Sequence, residues 1–167
     1  TLNYLNTVST AGLNPVHLTI DKTNKWIFVA NLQSGSITIV PRNLDGSLET
    51  VKEVYFIDGK EINTVSHPHQ VFLDKNENYL LVPCQGRKEG RGQISVFKID
   101  SGNGTLKKVY TSFSRENAEP RHLTFHPNNK FCYCVNEKDF SVTFYKFDEN
   151  TGVLTAEQIL PTLPENY

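Results

Sequence analysis

Four short segments of the chain carry residue types that could transfer protons and stabilise an anion. Segment 67–69 (HPH) offers imidazoles, the side chains whose unperturbed pKa lies closest to neutrality. Segment 120–122 (PRH) adds a guanidinium, which suits carboxylate and phosphate oxygens, and 136–137 (NE) adds a carboxylate. Segment 85–92 (QGRKEGRG) places three more cations among three glycines. Proton transfer beside a stabilised anion is therefore the chemistry to test.

An internal repeat positions these segments. Pro15, Pro68 and Pro120 open equivalent stretches that are 53 and 52 residues apart. Each repeat contains four strand-sized apolar runs separated by Asp, Asn, Gly and Lys turns, and none shows a sustained helical period. Four antiparallel strands per repeat are typical of a β-propeller blade. The sequence therefore predicts an all-β protein of about thirteen antiparallel strands.

The repeat also sets the domain organisation. Blades are predicted over 14–58, 67–114 and 119–163, and segment 2–13 is predicted as the last strand of a preceding blade with its connection. This gives about three and a quarter blades, whereas propellers close with about 4–8. We therefore expect residues 1–167 to be a partial propeller, roughly half of a longer chain. Its open faces would be covered by missing blades of the same polypeptide or by another copy.

Composition narrows the classes of partner and compartment. The 17 Lys and Arg residues nearly balance the 18 Asp and Glu residues, which gives no reason to expect nucleic acid or an anionic membrane. No apolar stretch approaches the roughly 20 residues of a membrane span. The three cysteines lack the spacing of a disulfide framework or a structural zinc site, so we expect buried thiols, no metal and a cytoplasmic protein.

Blade geometry selects the candidate site. The first strand of a blade lines the central channel and successive strands alternate in direction, so its start and the end of the second strand reach the same mouth. This rule places His69 and Arg121, which directly follow the repeated prolines, at that mouth. It places Gln85 and Glu137, which follow the second strands, beside them. A base, a cation and a carboxylate are therefore predicted to converge on one concave site.

The neighbouring polar residues have a structural and a functional interpretation. His17 and His122 stand one residue further along, so strict strand alternation turns them into blade packing, where His122→Ala would cost stability more than activity. His67 lies near the mouth with its direction undefined, and is taken as a substrate-binding candidate. Arg87 and Arg91 form either a solvated loop or a phosphate-contacting rim.

In these motifs the chain resembles the seven-bladed β-propeller lactonases, a family that includes propeller-type 6-phosphogluconolactonases and fungal carboxy-muconate cyclases. The resemblance covers nearly the whole chain in register. The segments that carry it are NPVH (14–17) with VAN (29–31), SHPHQVFLDKNENYLLVP (66–83), EPRHLTFHPNNKFCYCVNE (119–137) and QILPTLPENY (158–167). The resemblance implies that the functional His, Arg and Glu of the family fall on His69, Arg121 and Glu137.

The activity implied by this resemblance is hydrolysis of an anionic sugar lactone, 6-phosphoglucono-1,5-lactone, without metal or organic cofactor. His69 would act as general base on a water, and Arg121 would stabilise the oxyanion or hold the substrate's anionic group. Glu137 would orient these two side chains. Two alternatives stay open. One is a lyase of the carboxy-muconate cyclase type that uses the same groups, and the other is a non-catalytic propeller that binds a partner.

Overall fold

The computed structural model describes residues 1–88 and 90–164, and within them it contains thirteen strands and no helix. All strand pairs are antiparallel, and each sheet follows chain order from its innermost to its outermost strand. Blade 1 consists of β1 (Pro15–Ile20), β2 (Trp26–Asn31), β3 (Ser36–Pro41) and β4 (Glu53–Phe56). Blade 2 consists of β5 (His67–Pro68), β6 (Phe72–Leu73), β7 (Tyr79–Gln85), β8 (Gln93–Asp100) and β9 (Thr105–Phe113). Blade 3 consists of β10 (Pro120–Phe125), β11 (Phe131–Asn136), β12 (Ser141–Phe147) and β13 (Leu154–Pro161).

The all-β, bladed architecture predicted from the repeat is confirmed, but the strands are distributed differently. Segment 2–9 has no strand in the structure. A strand of a preceding blade would pair within that blade, so its assignment stays a prediction. A strand needs a backbone hydrogen-bonded neighbour, and in the described part of the chain the hydrogen bonds from this segment to blade 1 involve side chains, such as Asn6 Nδ2 to the Leu48 carbonyl at 2.8 Å. The count of thirteen is reached because the first strand of blade 2 is interrupted between β5 and β6. The predicted segments 85–92 and 158–167 extend over residues 89 and 165–167, which lie outside the described residues.

Blade 2 has apolar neighbours on both faces. Every residue of β7 is buried. Leu80, Val82 and Cys84 join a core cluster with blade 1, while the alternate residues Tyr79 and Leu81 join a second cluster with blade 3. Because successive side chains of a strand point to opposite faces, one strand supplies both cores. Blade 2 is therefore held firmly on both sides, which fixes the position of the segments at its ends.

The outward faces of blades 1 and 3 are apolar and exposed. Leu18 of β1 is 62% exposed, and Ile159 and Leu160 of β13 are 39% and 53% exposed. Within the described residues there is no helix of the length and apolar character that a membrane crossing requires.

A one-residue bulge recurs near the start of the innermost strand. Pro15 pairs with Asn31, yet His17 pairs with Ala30, so Val16 is an extra residue in β1. In β10 the partners of Pro120 and His122 are likewise adjacent residues of β11, which makes Arg121 the extra residue. A bulge of this kind interrupts the in-and-out alternation of side chains and re-aims them locally.

Candidate functional site

The candidate site lies where the mouth ends of blades 2 and 3 meet. In blade 2 the start of β5 pairs with the end of β7, with His67 opposite Gln85. In blade 3 the start of β10 pairs with the end of β11, with Pro120 opposite Asn136. The segments that follow these positions carry the polar side chains, so two rigid sheets present them to each other across the blade interface.

Four of these side chains form one hydrogen-bonded row across the two blades. Arg121 Nη1 lies 2.9 Å from Glu137 Oε1. The Gln85 amide donates to the other oxygen of Glu137. Arg87 then donates to Gln85 Oε1 from Nε at 3.2 Å and from Nη2 at 3.0 Å. The row fixes the Glu137 carboxylate from two sides, which leaves it little freedom to turn away from Arg121.

His69 is a half-buried imidazole beside this row. Burial is the largest cause that lowers its pKa, to about 4, and the positive charge of Arg121 adds to it. His122 lowers the pKa further, and Glu137 acts in the opposite direction. Among the described residues, His69 Nδ1 has no hydrogen-bond partner although it is buried. At neutral pH the ring is therefore uncharged, so one of its two nitrogens can accept a proton.

His122 belongs to the same cluster, which corrects the prediction that it turns into blade packing. Its ring lies edge-to-face to that of His69, with the ring centres 4.9 Å apart, and the residue is exposed. Partial burial of the ring first, and then the charge of Arg121, lower the pKa of His122. The bulge explains the error, because the extra residue Arg121 shifts the alternation that the sequence argument assumed.

His17 extends the cluster towards blade 1. Its ring centre lies 6.5 Å from that of His122, and burial followed by the proximity of His122 lowers its pKa. The equivalent position in blade 2 is Gln70, whose buried side-chain oxygen accepts a 2.6 Å hydrogen bond from the Leu123 amide of blade 3. At this position, Gln70 thus makes a hydrogen bond between blades 2 and 3.

Two predicted substrate-binding residues lie apart from the row. His67 is buried, and its Nδ1 donates to the Leu32 carbonyl of blade 1 at 2.9 Å, which gives the side chain a place between blades. Arg91 stacks its guanidinium on the Phe113 ring, 3.7 Å from the ring centre. Sequence reasoning did not include Lys60, which lies with Arg87 and Arg91 along one cavity at the same mouth. The sequence could have indicated Lys60. It lies in the connection between blades 1 and 2, and that connection leads to the start of β5 at the predicted mouth.

The three cysteines are free and buried, as predicted. Burial raises the pKa of all three thiols, so they are unreactive at neutral pH. In the described ranges 1–88 and 90–164, no group of three or more His, Cys, Asp or Glu side chains is arranged to hold a metal ion.

Comparison with known proteins matches the sequence and the fold to one family. The family model described as "Lactonase, 7-bladed beta-propeller" matches residues 1–167. A 6-phosphogluconolactonase of Serratia proteamaculans is 32% identical over 155 residues, which cover 92% of this chain and 44% of that protein. The 6-phosphogluconolactonase of Bacillus subtilis is 25% identical over 169 residues, which cover 99% of this chain and 47% of that protein. The chain thus spans about half the length of these curated relatives.

Solved structures agree. A Bacteroides fragilis protein described as a candidate 6-phosphogluconolactonase superimposes with a TM-score of 0.84 and 31% identity, over 99% of this chain and 48% of its own. A periplasmic gluconolactonase of Pseudomonas aeruginosa shares the fold, with a TM-score of 0.83 and 23% identity over 96% of this chain and 46% of its own.

Proposed function

The chain belongs to the lactonase family of seven-bladed β-propellers, and from this premise we propose that it carries the hydrolytic site of a cofactor-independent sugar lactonase. The observation that carries the proposal is an uncharged His69 beside the Arg121–Glu137 ion pair. A neutral base, a cation for an oxyanion and a carboxylate that fixes the cation are the groups that water-dependent opening of a lactone needs.

In the first step, His69 takes a proton from a water molecule as that water attacks the lactone carbonyl carbon. The carbonyl π-bond opens, and its electron pair becomes the oxyanion of a tetrahedral intermediate. Arg121 stabilises this charge. The Arg121 side chain is 40% exposed, so its guanidinium can reach a bound substrate.

In the second step, the intermediate collapses and the bond between the carbonyl carbon and the ring oxygen breaks. The imidazolium of His69 returns its proton to the leaving ring oxygen, so the product is the open hydroxy acid and the base is restored. Glu137 does not touch the reacting atoms in this scheme. It positions Arg121 through their 2.9 Å ion pair, and Gln85 in turn positions Glu137.

The charge of the substrate changes the pKa of His69. With a pKa of about 4, free His69 is a weak base at neutral pH, and part of that low value comes from Arg121. An anionic substrate brings negative charge to this mouth and opposes the effect of Arg121, so the pKa of His69 rises in the complex and the base becomes stronger. This favours an anionic lactone, and relatives named 6-phosphogluconolactonase suggest 6-phosphoglucono-1,5-lactone, handled in the cytoplasm.

The test is a panel of sugar lactones and carboxy-muconates, assayed with the complete protein. We expect hydrolysis of a sugar lactone, reduced by roughly 10²-fold or more in His69→Gln, the scale of a general acid–base group. His126→Gln is the matched control, because His126 lies in the β10–β11 turn at the opposite end of β10. Turnover of muconates alone would indicate the cyclase-type lyase, and turnover of no compound would indicate a binding propeller. Either result would contradict the proposal.

A further inference from the structure

A cavity opens beside the candidate site, on the same mouth face. It has a volume of about 490 Å³ and lies between the β7–β8 loop of blade 2 and the β9–β10 connection that leads into blade 3. Lys60, from the connection between blades 1 and 2, and Lys138, from the β11–β12 turn, complete its described wall. Four separate connections therefore contribute to one concave surface.

The wall of this cavity is strongly positive. Its described lining contains two carboxylates, those of Glu116 and Glu119, and six cations: Lys60, Arg87, Lys88, Arg91, Arg115 and Lys138. Six cations against two carboxylates leave a formal charge of +4, or +3 if the charge of Glu89 in the same loop is counted. The whole chain has a net charge of −1, so the positive charge is concentrated at this place.

The pairing of these cations divides the cavity into two parts. On the blade 3 side, Arg115 lies 2.6 Å from Asp139, and Lys138 lies 3.8 Å from Glu119. On the blade 2 side, Arg87 has the neutral amide oxygen of Gln85 as its hydrogen-bond partner. A neutral partner does not compensate the charge of the guanidinium. An anion should therefore bind most strongly on the blade 2 side.

The hydrogen-bonded row connects this cavity to the reacting groups. Arg87 lines the cavity and donates to Gln85, Gln85 donates to Glu137, and Glu137 holds Arg121. The cavity and Arg121 are thus separated by two side chains.

We propose that this cavity binds the phosphate monoester of a phosphorylated sugar lactone, through Arg87 and Lys88 with Lys60 opposite. The assignment deepens the lactonase function proposed above and rests on it. A phosphate monoester is close to a dianion at neutral pH and has three acceptor oxygens, which suits several cations from different loops better than a carboxylate does. Selectivity for a phosphorylated over an unphosphorylated lactone would therefore arise in blade 2.

The experiment compares kcat/KM for 6-phosphoglucono-1,5-lactone and for glucono-1,5-lactone, using the complete protein. In Lys88→Gln and Lys60→Gln we expect the ratio of the two kcat/KM values to fall about tenfold, as one charge-assisted contact to phosphate is lost. Lys107→Gln removes an exposed lysine near the far end of β9 and should leave both values unchanged. Equal losses for both lactones, or no loss for either, would overturn the phosphate subsite.

Calorimetric titration with inorganic phosphate separates this assignment from the lactonase proposal. If the wild type hydrolyses neither lactone, the lactonase function fails, but the subsite is still tested. Phosphate binding by the wild type that is weakened in the Lys60→Gln, Lys88→Gln double variant supports the subsite. Absence of binding by the wild type, or unaltered binding by the double variant, contradicts it.

Discussion

The mouth ends of blades 1 and 3 have the same backbone pairing but carry different side chains, apolar in blade 1 and charged in blade 3. Both begin with a proline, contain a one-residue bulge at the next position and pair back onto the second strand in the same register. The bulged residue is Val16 in blade 1 and Arg121 in blade 3. The comparison shows that a repeated frame acquires chemistry by substitution at a few positions, without a change of local fold.

The residues after the second strands differ in the same sense. Leu32 is buried, and its carbonyl accepts the hydrogen bond from His67, so this position serves blade packing. The Glu137 side chain is 43% exposed and forms the ion pair with Arg121. Leu32 therefore packs between blades 1 and 2, whereas Glu137 lies at an accessible site between blades 2 and 3.

The largest expected difference is between alanine substitutions of the two bulged residues. Arg121→Ala should lower kcat for lactone hydrolysis by roughly 10²-fold or more, the scale measured for removal of an oxyanion donor. Val16→Ala, the equivalent change in blade 1, should leave kcat unchanged. Steady-state kinetics of the complete protein measures both. Similar losses in the two variants would show that the mouth frame as a whole, rather than Arg121, carries the activity.

Glu137→Gln should have an intermediate effect. It keeps the shape of the side chain but removes the charge that holds Arg121, so we expect kcat to fall about tenfold, the scale of one charge-assisted hydrogen bond. Because Glu137 raises the pKa of His69, its loss should also move the acid limb of kcat/KM to lower pH. Glu157→Gln, which breaks the Lys146–Glu157 pair on the outer strands of blade 3, is the control. A shift to higher pH would contradict the assigned role.

Much of this frame could be predicted from the sequence. The spacing of Pro15, Pro68 and Pro120 predicts the three blades, because alternating apolar runs and turn residues recur at each. The antiparallel rule places His69, Arg121, Gln85 and Glu137 at one mouth, and the structure brings the last three into contact. Where the strands are regular, the local sequence pattern was sufficient to predict their positions and the end of the blade at which each residue lies.

The remainder depends on features that leave no local pattern. The bulge at Arg121 is set by pairing with a distant strand, so alternation counted along β10 misplaces His122. The strand predicted at 2–9 has the composition of a strand but no neighbour among the described residues with which to pair. The cationic cavity needs loops from separate blades to meet, which only tertiary structure reveals.

His122→Gln should have a smaller effect, confined to the pH profile. Because His122 lowers the pKa of His69, its loss should move the acid limb of kcat/KM to higher pH. The residue is exposed, so the free energy of unfolding should change by no more than about 0.5 kcal/mol. Denaturant unfolding and a pH series measure the two quantities. A large loss of stability with an unchanged pH profile would restore the packing role predicted from the sequence.

The outward face of blade 1 should affect association and leave the chemistry alone. Leu18 lies in an exposed apolar surface with Val16 and Ile20, so we expect the isolated 167-residue chain to self-associate, less so in Leu18→Ser. Leu44→Ser is the control, because Leu44 is exposed in the connection between β3 and β4, outside that strand face. Sedimentation velocity measures association. A wild-type chain that stays monomeric at high concentration would contradict this expectation.

The most direct test of the account is the acid limb of the pH profile of kcat/KM, which reports ionisation in the free enzyme. The folded-state pKa of His69 lies below its ordinary value, so the ring is neutral and competent above about pH 4 and protonated below it. The account predicts that kcat/KM for a sugar lactone rises through a single step near pH 4. For an anionic lactone, the corresponding step in kcat should lie at higher pH than the step in kcat/KM. The residual activity of His69→Gln should show neither step. A step that persists unchanged in His69→Gln would show that another group is the base.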